Sequence, residues 1–167
     1  ITPKAVTVKV TGNNDTQPYN GQAQSVEGYT LDAGNSGYDV TKATYSGNKT
    51  ASRTDVGTTN MNLDVTKFAA NDDNYEVTFQ LVEDGYMTIT PKAVTVTPED
   101  NGKVYGQQDP ELSATVTGLV GNDAIEYTVT REEGEDVGKY TITTSGETIQ
   151  GNYTVTYETG TFTITPK

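Results

Sequence analysis

The sequence predicts an all-β protein built from two tandem antiparallel β-sandwich modules in an elongated arrangement. The phrase ITPKAVTV at positions 1–8 recurs unchanged at 89–96, and its first half returns as ITPK at 164–167. Between these phrases apolar residues alternate with polar ones, which is the pattern of a half-buried β-strand. Turn-forming pairs such as Asn-Gly and Asp-Gly separate the alternating stretches. The long repeat indicates two small modules, and the alternation of apolar and polar residues indicates that both are made of strands.

The central copy of the phrase marks the module boundary, so we assign the first module to residues 1–90 and the second to residues 91–167. Two further marks recur in the same order in both modules: DVG at 55–57 and 136–138, and an Asn-Tyr segment at 74–79 and 152–157. The first module is longer mainly between its Tyr-Asn-Gly mark and its DVG mark, where surface loops accept insertions.

Four series of alternating apolar residues are predicted to be strands. They are Val6–Val10, Met61–Val65, Tyr75–Leu81, and Tyr153–Tyr157 with Phe162 and Ile164. These segments are rich in Val, Thr and Tyr, which fit a pleated and half-buried surface. No segment shows the capped 3.6-residue period of an amphipathic helix, so no helix is predicted.

Proline explains why the repeated phrase stands at the module ends. Because proline has no N–H for a central ladder, it marks the edge or the end of a strand. We therefore predict last strands at Tyr86–Thr90 and Thr161–Thr165, and the first strand of the second module at Ala93–Thr97. The connection is then about two residues long with a fixed φ, too short and stiff for free swivelling. On this interpretation Ile1 and Thr2 are the remnant of a preceding module in a semi-rigid rod.

The composition excludes several classes of function. The chain has 11 Lys and Arg against 23 Asp and Glu, and its net charge of −12 repels the phosphates of nucleic acids and anionic membranes. No run of about 18 apolar residues is present, so we expect no membrane insertion. The absence of His and Cys removes the usual nucleophile–base pairs. We therefore expect a monomer that is not an enzyme and has no cofactor.

Paired carboxylates would still allow hydrolysis of the glycosidase type. The densest cluster of charge is Arg131-Glu132-Glu133-Gly134-Glu135-Asp136. We interpret it as a solvated acidic turn that leads into the second DVG mark, and a carboxylate-based hydrolase is the alternative.

The second module resembles a known repeat family over about residues 91–167. It carries VYGQQDPELSATVTGLVGNDAI, then EDVGKYTI, then GNYTVTYETGTFTITPK, an order that resembles the MBG repeat of the YGX type. The first module, with Tyr19-Asn20-Gly21 in place of Tyr-Gly-Gln, resembles related Tyr-Asn-Gly and Tyr-Asp-Gly modules of Gram-positive bacteria. The resemblance implies an Ig-like or related β-sandwich that serves as a stalk or adhesion module in large bacterial surface or secreted proteins. It implies no enzymatic activity and brings no binding residues.

The Asp136-x-Gly138-x-Tyr140 spacing is typical of the tyrosine corner of immunoglobulin-type sandwiches. We predict that the Tyr140 hydroxyl bonds to nearby backbone. Thr59 stands at the matching position of the first module, so the bond is missing or replaced there.

Calcium is an alternative to the prediction of no metal. Asn71-Asp72-Asp73-Asn74 gathers the hard oxygen ligands that Ca²⁺ prefers, with Asp72 and Asp73 as candidate ligands. No Asp-x-Asp-x-Asp-Gly loop is present, so we interpret the segment as a solvated turn and keep calcium as the alternative.

The predicted function is that of a non-catalytic stalk or spacer in an extracellular bacterial protein, with neighbouring repeats of the same chain as its partners. The alternative is a module that binds a host or cell-wall glycan or protein through the insert of the first module. Tyr29, Tyr38 and Tyr45 lie in that insert and are the candidate ligand face, because aromatic rings stack on sugars. They would otherwise pack on the module's own sheets.

Overall fold

A computed structural model describes residues 2–167, so Ile1 and the prediction that involves it lie outside the described residues. The described residues form eighteen strands and two short 3-10 helices, which confirms the all-β prediction. The strands up to residue 90 are β1 (Lys4–Gly12), β2 (Asn14–Pro18), β3 (Gln24–Glu27), β4 (Tyr29–Asp32), β5 (Thr44–Tyr45), β6 (Thr50–Arg53), β7 (Gly57–Asn60), β8 (Phe68–Ala69), β9 (Tyr75–Glu83) and β10 (Tyr86–Thr90). The remaining strands are β11 (Lys92–Pro98), β12 (Asn101–Val104), β13 (Ala114–Thr117), β14 (Thr128–Arg131), β15 (Gly138–Ser145), β16 (Ile149–Gln150), β17 (Tyr153–Tyr157) and β18 (Thr159–Thr165). The 3-10 helices are Val40–Lys42 and Val65–Lys67.

The chain divides into two compact units. The first unit holds the chain up to Pro18 together with Gln22–Thr90, and the second holds Tyr19–Gly21 together with Pro91–Lys167. Only Pro91 stands between β10 and β11. Tyr19–Gly21 directly follows β2, yet it is counted with the second unit.

Each unit contains two principal sheets. In the first unit their strand orders are β4-β1-β9 and β2-β10-β7, and β3-β6 and β5-β8 form two additional pairs. In the second unit the orders are β13-β11-β17-β16 and β12-β18-β15-β14. Consecutive strands at the start and end of each unit therefore belong to different sheets: β1 and β2, β9 and β10, β11 and β12, and β17 and β18.

The prediction of purely antiparallel sheets is wrong. β1 runs parallel to β9 and β2 runs parallel to β10, while in the second unit β11 runs parallel to β17 and β12 runs parallel to β18. The alternation of apolar residues shows which face of a strand is buried, and it is the same for both pairing directions. A parallel pair needs a long crossover, which the intervening strands of each unit supply. The sandwich arrangement of the sheets stays a prediction.

The repeated phrase pairs in the same way in both units. Lys4 N–H donates to the Asn74 carbonyl at 3.0 Å, and Lys92 N–H donates to the Asn152 carbonyl at 2.9 Å. The central valines of the phrase oppose the valines of the Asn-Tyr strand: Val6 with Val77, and Val94 with Val155. The two copies of the phrase therefore form equivalent first strands, each paired with the strand of the Asn-Tyr segment of its own unit. This pairing explains why the phrase and the Asn-Tyr segment recur together.

The strand predicted at Met61–Val65 is wrong. Asn62 has a φ of 60°, in the left-handed region, which interrupts an extended chain. Asp64 then caps the 3-10 helix Val65–Lys67, because its carboxylate accepts from Thr66 N–H at 2.9 Å. Met61 and Leu63 are nevertheless buried, so alternation here reports burial without a strand.

Each unit buries its own apolar cluster. In the first unit Val6, Val8 and Tyr38 are buried, and the partly buried side chains around them include Tyr75, Val77 and Phe79. In the second unit Ile142, Phe162 and Ile164 are buried together, with Leu112, Val129 and Tyr140 packed against them. The buried positions of β1, β11 and β18 alternate along each strand, as their sequences predict.

Candidate functional site

The three tyrosines of the candidate ligand face pack on other aromatic rings of the first unit. Tyr29 meets Tyr45 and Phe68 edge-on, at 5.5 Å and 5.1 Å between ring centroids. The Tyr45 ring lies 4.4 Å from Phe68, which stacks on Phe79 at 4.8 Å. Such pairs stabilise a core beyond the area they bury. Tyr29 and Tyr45 therefore use their ring faces and edges within one aromatic cluster.

The Tyr45 and Tyr38 hydroxyl groups bond to the backbone. The Tyr45 hydroxyl donates to the Asn48 carbonyl at 3.1 Å and accepts from Asp64 N–H at 2.9 Å. The Tyr38 hydroxyl donates to the Ala70 carbonyl at 2.6 Å. Tyr38 is only 6% exposed, and burial is the main cause of its raised pKa. Both side chains therefore hold the insert of the first module against its own strands.

The segment Asn71–Asn74 forms a turn whose carboxylates are only partly free. Asp72 accepts from Asn74 N–H at 3.0 Å and from the Lys42 ammonium at 3.1 Å. The backbone bond from Asn74 is the main cause of the lowered pKa of Asp72, and the Lys42 bond acts in the same direction. Asp73 lies exposed beside it. No group of three or more acidic side chains that could hold a metal ion is found among residues 2–167.

The acidic turn near the second DVG mark is part of a cluster of two cations and two carboxylates. We call this the charged cluster; its members are Lys103, Asp109, Arg131 and Glu135. The Lys103 ammonium lies 2.8 Å from Asp109 and 2.6 Å from Glu135, and Arg131 lies 2.6 Å from each of the same carboxylates. The Lys103 side chain is 3% exposed and the Arg131 side chain 9%, whereas the Asp109 and Glu135 side chains are 40% and 67% exposed. Each buried cation thus has two carboxylate partners. Such partners are needed because an unpaired buried charge strongly destabilises a fold.

The charged cluster lowers the pKa of its carboxyl groups and raises that of its cations, so it favours the charged form of each member. Arg131, and after it Lys103, lowers the pKa of the Asp109 carboxyl far below its usual range. Lys103, and after it Arg131, lowers the pKa of Glu135. The pKa of Lys103 is raised, chiefly by the bond to Asp109. A general acid needs a carboxyl group that holds its proton near neutral pH, so these two carboxylates are poorly suited to acid catalysis.

Arg131 also fixes the loop before the DVG mark. Its guanidinium donates to the Glu132 carbonyl at 2.7 Å and the Gly134 carbonyl at 2.9 Å, and lies 4.6 Å from the centroid of the Phe162 ring. In the first unit Arg53 instead bonds the DVG mark itself, because it donates to the Asp55 and Val56 carbonyls at 2.7 Å each. An arginine that bonds the backbone at or just before the DVG mark is therefore common to both units.

The tyrosine-corner prediction is confirmed in the second unit. The Tyr140 hydroxyl donates to the Asp136 carbonyl at 2.7 Å. In the first unit Thr59 occupies the matching position, and its hydroxyl accepts from Arg53 at 3.3 Å. In the first unit Arg53 thus bonds both Thr59 and the Asp55 carbonyl, which matches the Asp136 carbonyl of the second unit.

A second aromatic site in the second unit centres on Tyr153. The Tyr153 hydroxyl donates to the Asp123 carboxylate at 2.5 Å and accepts from Val120 N–H at 3.0 Å. Burial, followed by the bond to Asp123, raises its pKa. Tyr19, which is 9% exposed, sets its ring edge-on to Tyr153 at 5.6 Å and brings its hydroxyl 3.4 Å from Asp123. We call Tyr153, Asp123 and Val120 the tyrosine acceptor.

Sequence reasoning missed both the charged cluster and the tyrosine acceptor. A signal for the first exists, because an arginine precedes the DVG mark in both modules. The burial of Lys103 has no such signal, since lysines are almost never buried unless paired. Tyr19 and Tyr153 each recur in the other module as Tyr105 and Tyr75, but recurrence alone does not show which rings meet.

Comparison with known families identifies the second module. Residues 94–163 match the family model of the MBG domain (YGX type), which confirms the resemblance stated for the second module, while that of the first module stays a prediction. Residues 94–163 thus match an MBG domain, and the MBG repeat family is a family of non-catalytic repeat domains that is typical of extracellular surface proteins. No curated protein and no solved structure matches the chain. Among residues 2–167 no helix has the length and apolar character needed to cross a bilayer.

Proposed function

We propose that the chain is a non-catalytic spacer in a bacterial surface or secreted repeat protein, where it holds other parts of that protein at a distance from the cell. One observation carries this proposal: a single residue, Pro91, separates the last strand of one module from the first strand of the next. Because proline restricts φ, such a short connection can adopt few conformations.

Two further observations support a mechanical role. The same phrase forms the first strand of both units in the same register, so the two units repeat in strand pairing as well as in sequence. The polar groups that resemble reactive sites are engaged in structure: Asp109 and Glu135 pair with buried cations, and Tyr38 and Tyr45 bond to backbone. In this proposal the chain supplies length and stiffness, and it catalyses no reaction.

Small-angle X-ray scattering of the 167-residue chain tests the proposal. A single compact globule of this length has a radius of gyration of about 15 Å, and two touching spherical modules have about 19 Å. We expect a value of about 19 Å or more. A matched variant with a flexible Gly-Ser insertion between Thr90 and Pro91 should broaden the distribution of interatomic distances. A value near 15 Å, or an insertion without effect, would contradict the spacer role.

A further inference from the structure

We propose that Tyr105 is the attachment point for a further module of the MBG type, whose tyrosine acceptor receives its ring as Tyr153 and Asp123 receive Tyr19. This inference rests on the proposed role in a tandem array and adds to it the residue that joins one module to the next.

Tyr19 and Tyr105 occupy equivalent places in the chain. Tyr19 directly follows β2, whose Pro18 lies opposite Thr90 of β10. Tyr105 directly follows β12, whose Val104 lies opposite Thr165 of β18. Both strands run parallel to the strand that ends in the ITPK phrase. Each tyrosine thus stands beside the proline at which one module ends.

Their surroundings differ sharply. Tyr19 is 9% exposed, with the Tyr153 ring and the Asp123 carboxylate as partners, whereas Tyr105 is 49% exposed. An aromatic ring with a polar tip is suited to a site that offers both a ring and a hydrogen-bond acceptor. The occupied site of Tyr19 therefore shows what Tyr105 would bind.

The backbone holds Tyr105 in a defined position. Tyr105 N–H donates to the Thr165 carbonyl at 2.8 Å, and Gln107 N–H donates to the Val104 carbonyl at 3.1 Å across the turn. The Gln107 side chain accepts from Val104 N–H at 3.1 Å. The exposed ring is therefore carried by an ordered turn, which lowers the entropy lost on binding.

A second exposed apolar side chain lies at the same end of the sheet. Val137 is 52% exposed and precedes Gly138, which lies opposite Ile164 of β18. Tyr105 and Val137 thus flank the end of β18 from its two neighbouring strands. Exposed apolar groups gathered at one place mark an interaction site more often than scattered ones do.

Hydroxyl-radical footprinting read by mass spectrometry tests the inference in two chains. The first is the 167-residue protein, in which Tyr19 should be oxidised about fivefold more slowly than Tyr105, as their exposures of 9% and 49% imply. The second carries a further copy of residues 93–167 after Lys167, so that the natural ITPK phrase forms the new junction. The added copy carries Tyr105→Phe, so that oxidation at this position reports only the original copy. There Tyr105 should become about fivefold less reactive, with Tyr127 as the internal reference. Unchanged reactivity of Tyr105 in the longer chain would overturn the proposal.

Variants of the longer chain separate a specific site from general crowding. Asp123→Ala in the added copy alone should restore most of the reactivity of Tyr105, whereas the neighbouring Asn122→Ala should not. Equal effects of the two variants would overturn the acceptor assignment. Scattering from the same chain reports separately on the spacer role: an added length without protection of Tyr105 refutes only this inference, and protection without added length refutes only the spacer role.

Discussion

Replacement of Phe162 by alanine is the sharpest test of the second unit's core. Phe162 is fully buried between Ile142 and Ile164, and the Arg131 guanidinium lies over its ring. Phe→Ala changes in cores cost about 3–5 kcal/mol, because transfer energy is lost and a cavity remains. Loss of the cation–π contact should add about 0.5–2 kcal/mol to this loss of unfolding free energy.

That loss is large compared with the stability of a small module. A domain of this size has about 4–12 kcal/mol of unfolding free energy, from about 0.05–0.15 kcal/mol per residue. With a slope of about 1 kcal/mol per molar urea, the midpoint of the second unit should fall by about 3 M or more. The first unit should keep its own transition, because its core uses other residues.

Urea unfolding followed by far-ultraviolet circular dichroism measures this effect. Thr161→Ala is the matched control, since Thr161 is the exposed neighbour of Phe162 on the same strand and should change stability by less than about 0.5 kcal/mol. If Phe162→Ala shifts the midpoint no more than the control does, the ring is not part of a packed core and the assignment of β18 is refuted.

Two other predictions concern the second unit: one tests the Tyr140 hydroxyl and the other the Asp109 carboxylate. Tyr140→Phe should destabilise the second unit by about 1 kcal/mol, because it removes the bond to the Asp136 carbonyl; urea titration beside Tyr127→Phe measures it, and equal values for both variants would exclude the corner. The pKa of Asp109 is lowered in the folded state, so the ionised Asp109 carboxylate adds to the free energy of unfolding. This stabilisation is fully present above the unfolded pKa of about 4 and is lost as pH falls toward the folded pKa. Thermal unfolding from pH 7 to pH 2 should show stability that declines below about pH 4, and Asp109→Asn should lower stability at pH 7 and flatten that decline. An equally steep decline in the variant would assign the acid sensitivity to other carboxylates.

The two modules keep the same frame and differ in how they complete it. The parallel first strand, the ITPK last strand and an arginine before DVG are common to both. The first unit adds an insert in which Tyr29 and Tyr45 pack on Phe68, and the second adds a charged cluster around two buried cations. Loops and inserts vary most readily where they do not disturb the strand ladder.

The candidate site was only partly predictable from the sequence. The Tyr140 corner has a local spacing that fixes a short-range bond, and it was predicted correctly. Lys103 and Arg131 lie 28 positions apart in the chain and meet only because Asp109 and Glu135 lie between their charged groups. No local pattern reports such a meeting.

The sequence was enough to determine the all-β character, the repeat, and the strands that end before proline, Tyr86–Thr90 and the predicted Thr161–Thr165. The observed last strand begins two residues earlier, at Thr159. These features depend on side-chain period and on the missing N–H of proline, which act within a few residues. Only the tertiary structure decided that β1 pairs parallel with β9, that Lys103 is buried, and that Tyr19 is covered while Tyr105 is exposed. Each of these depends on groups brought together from distant parts of the chain, and the energy of such contacts does not appear in any local sequence pattern.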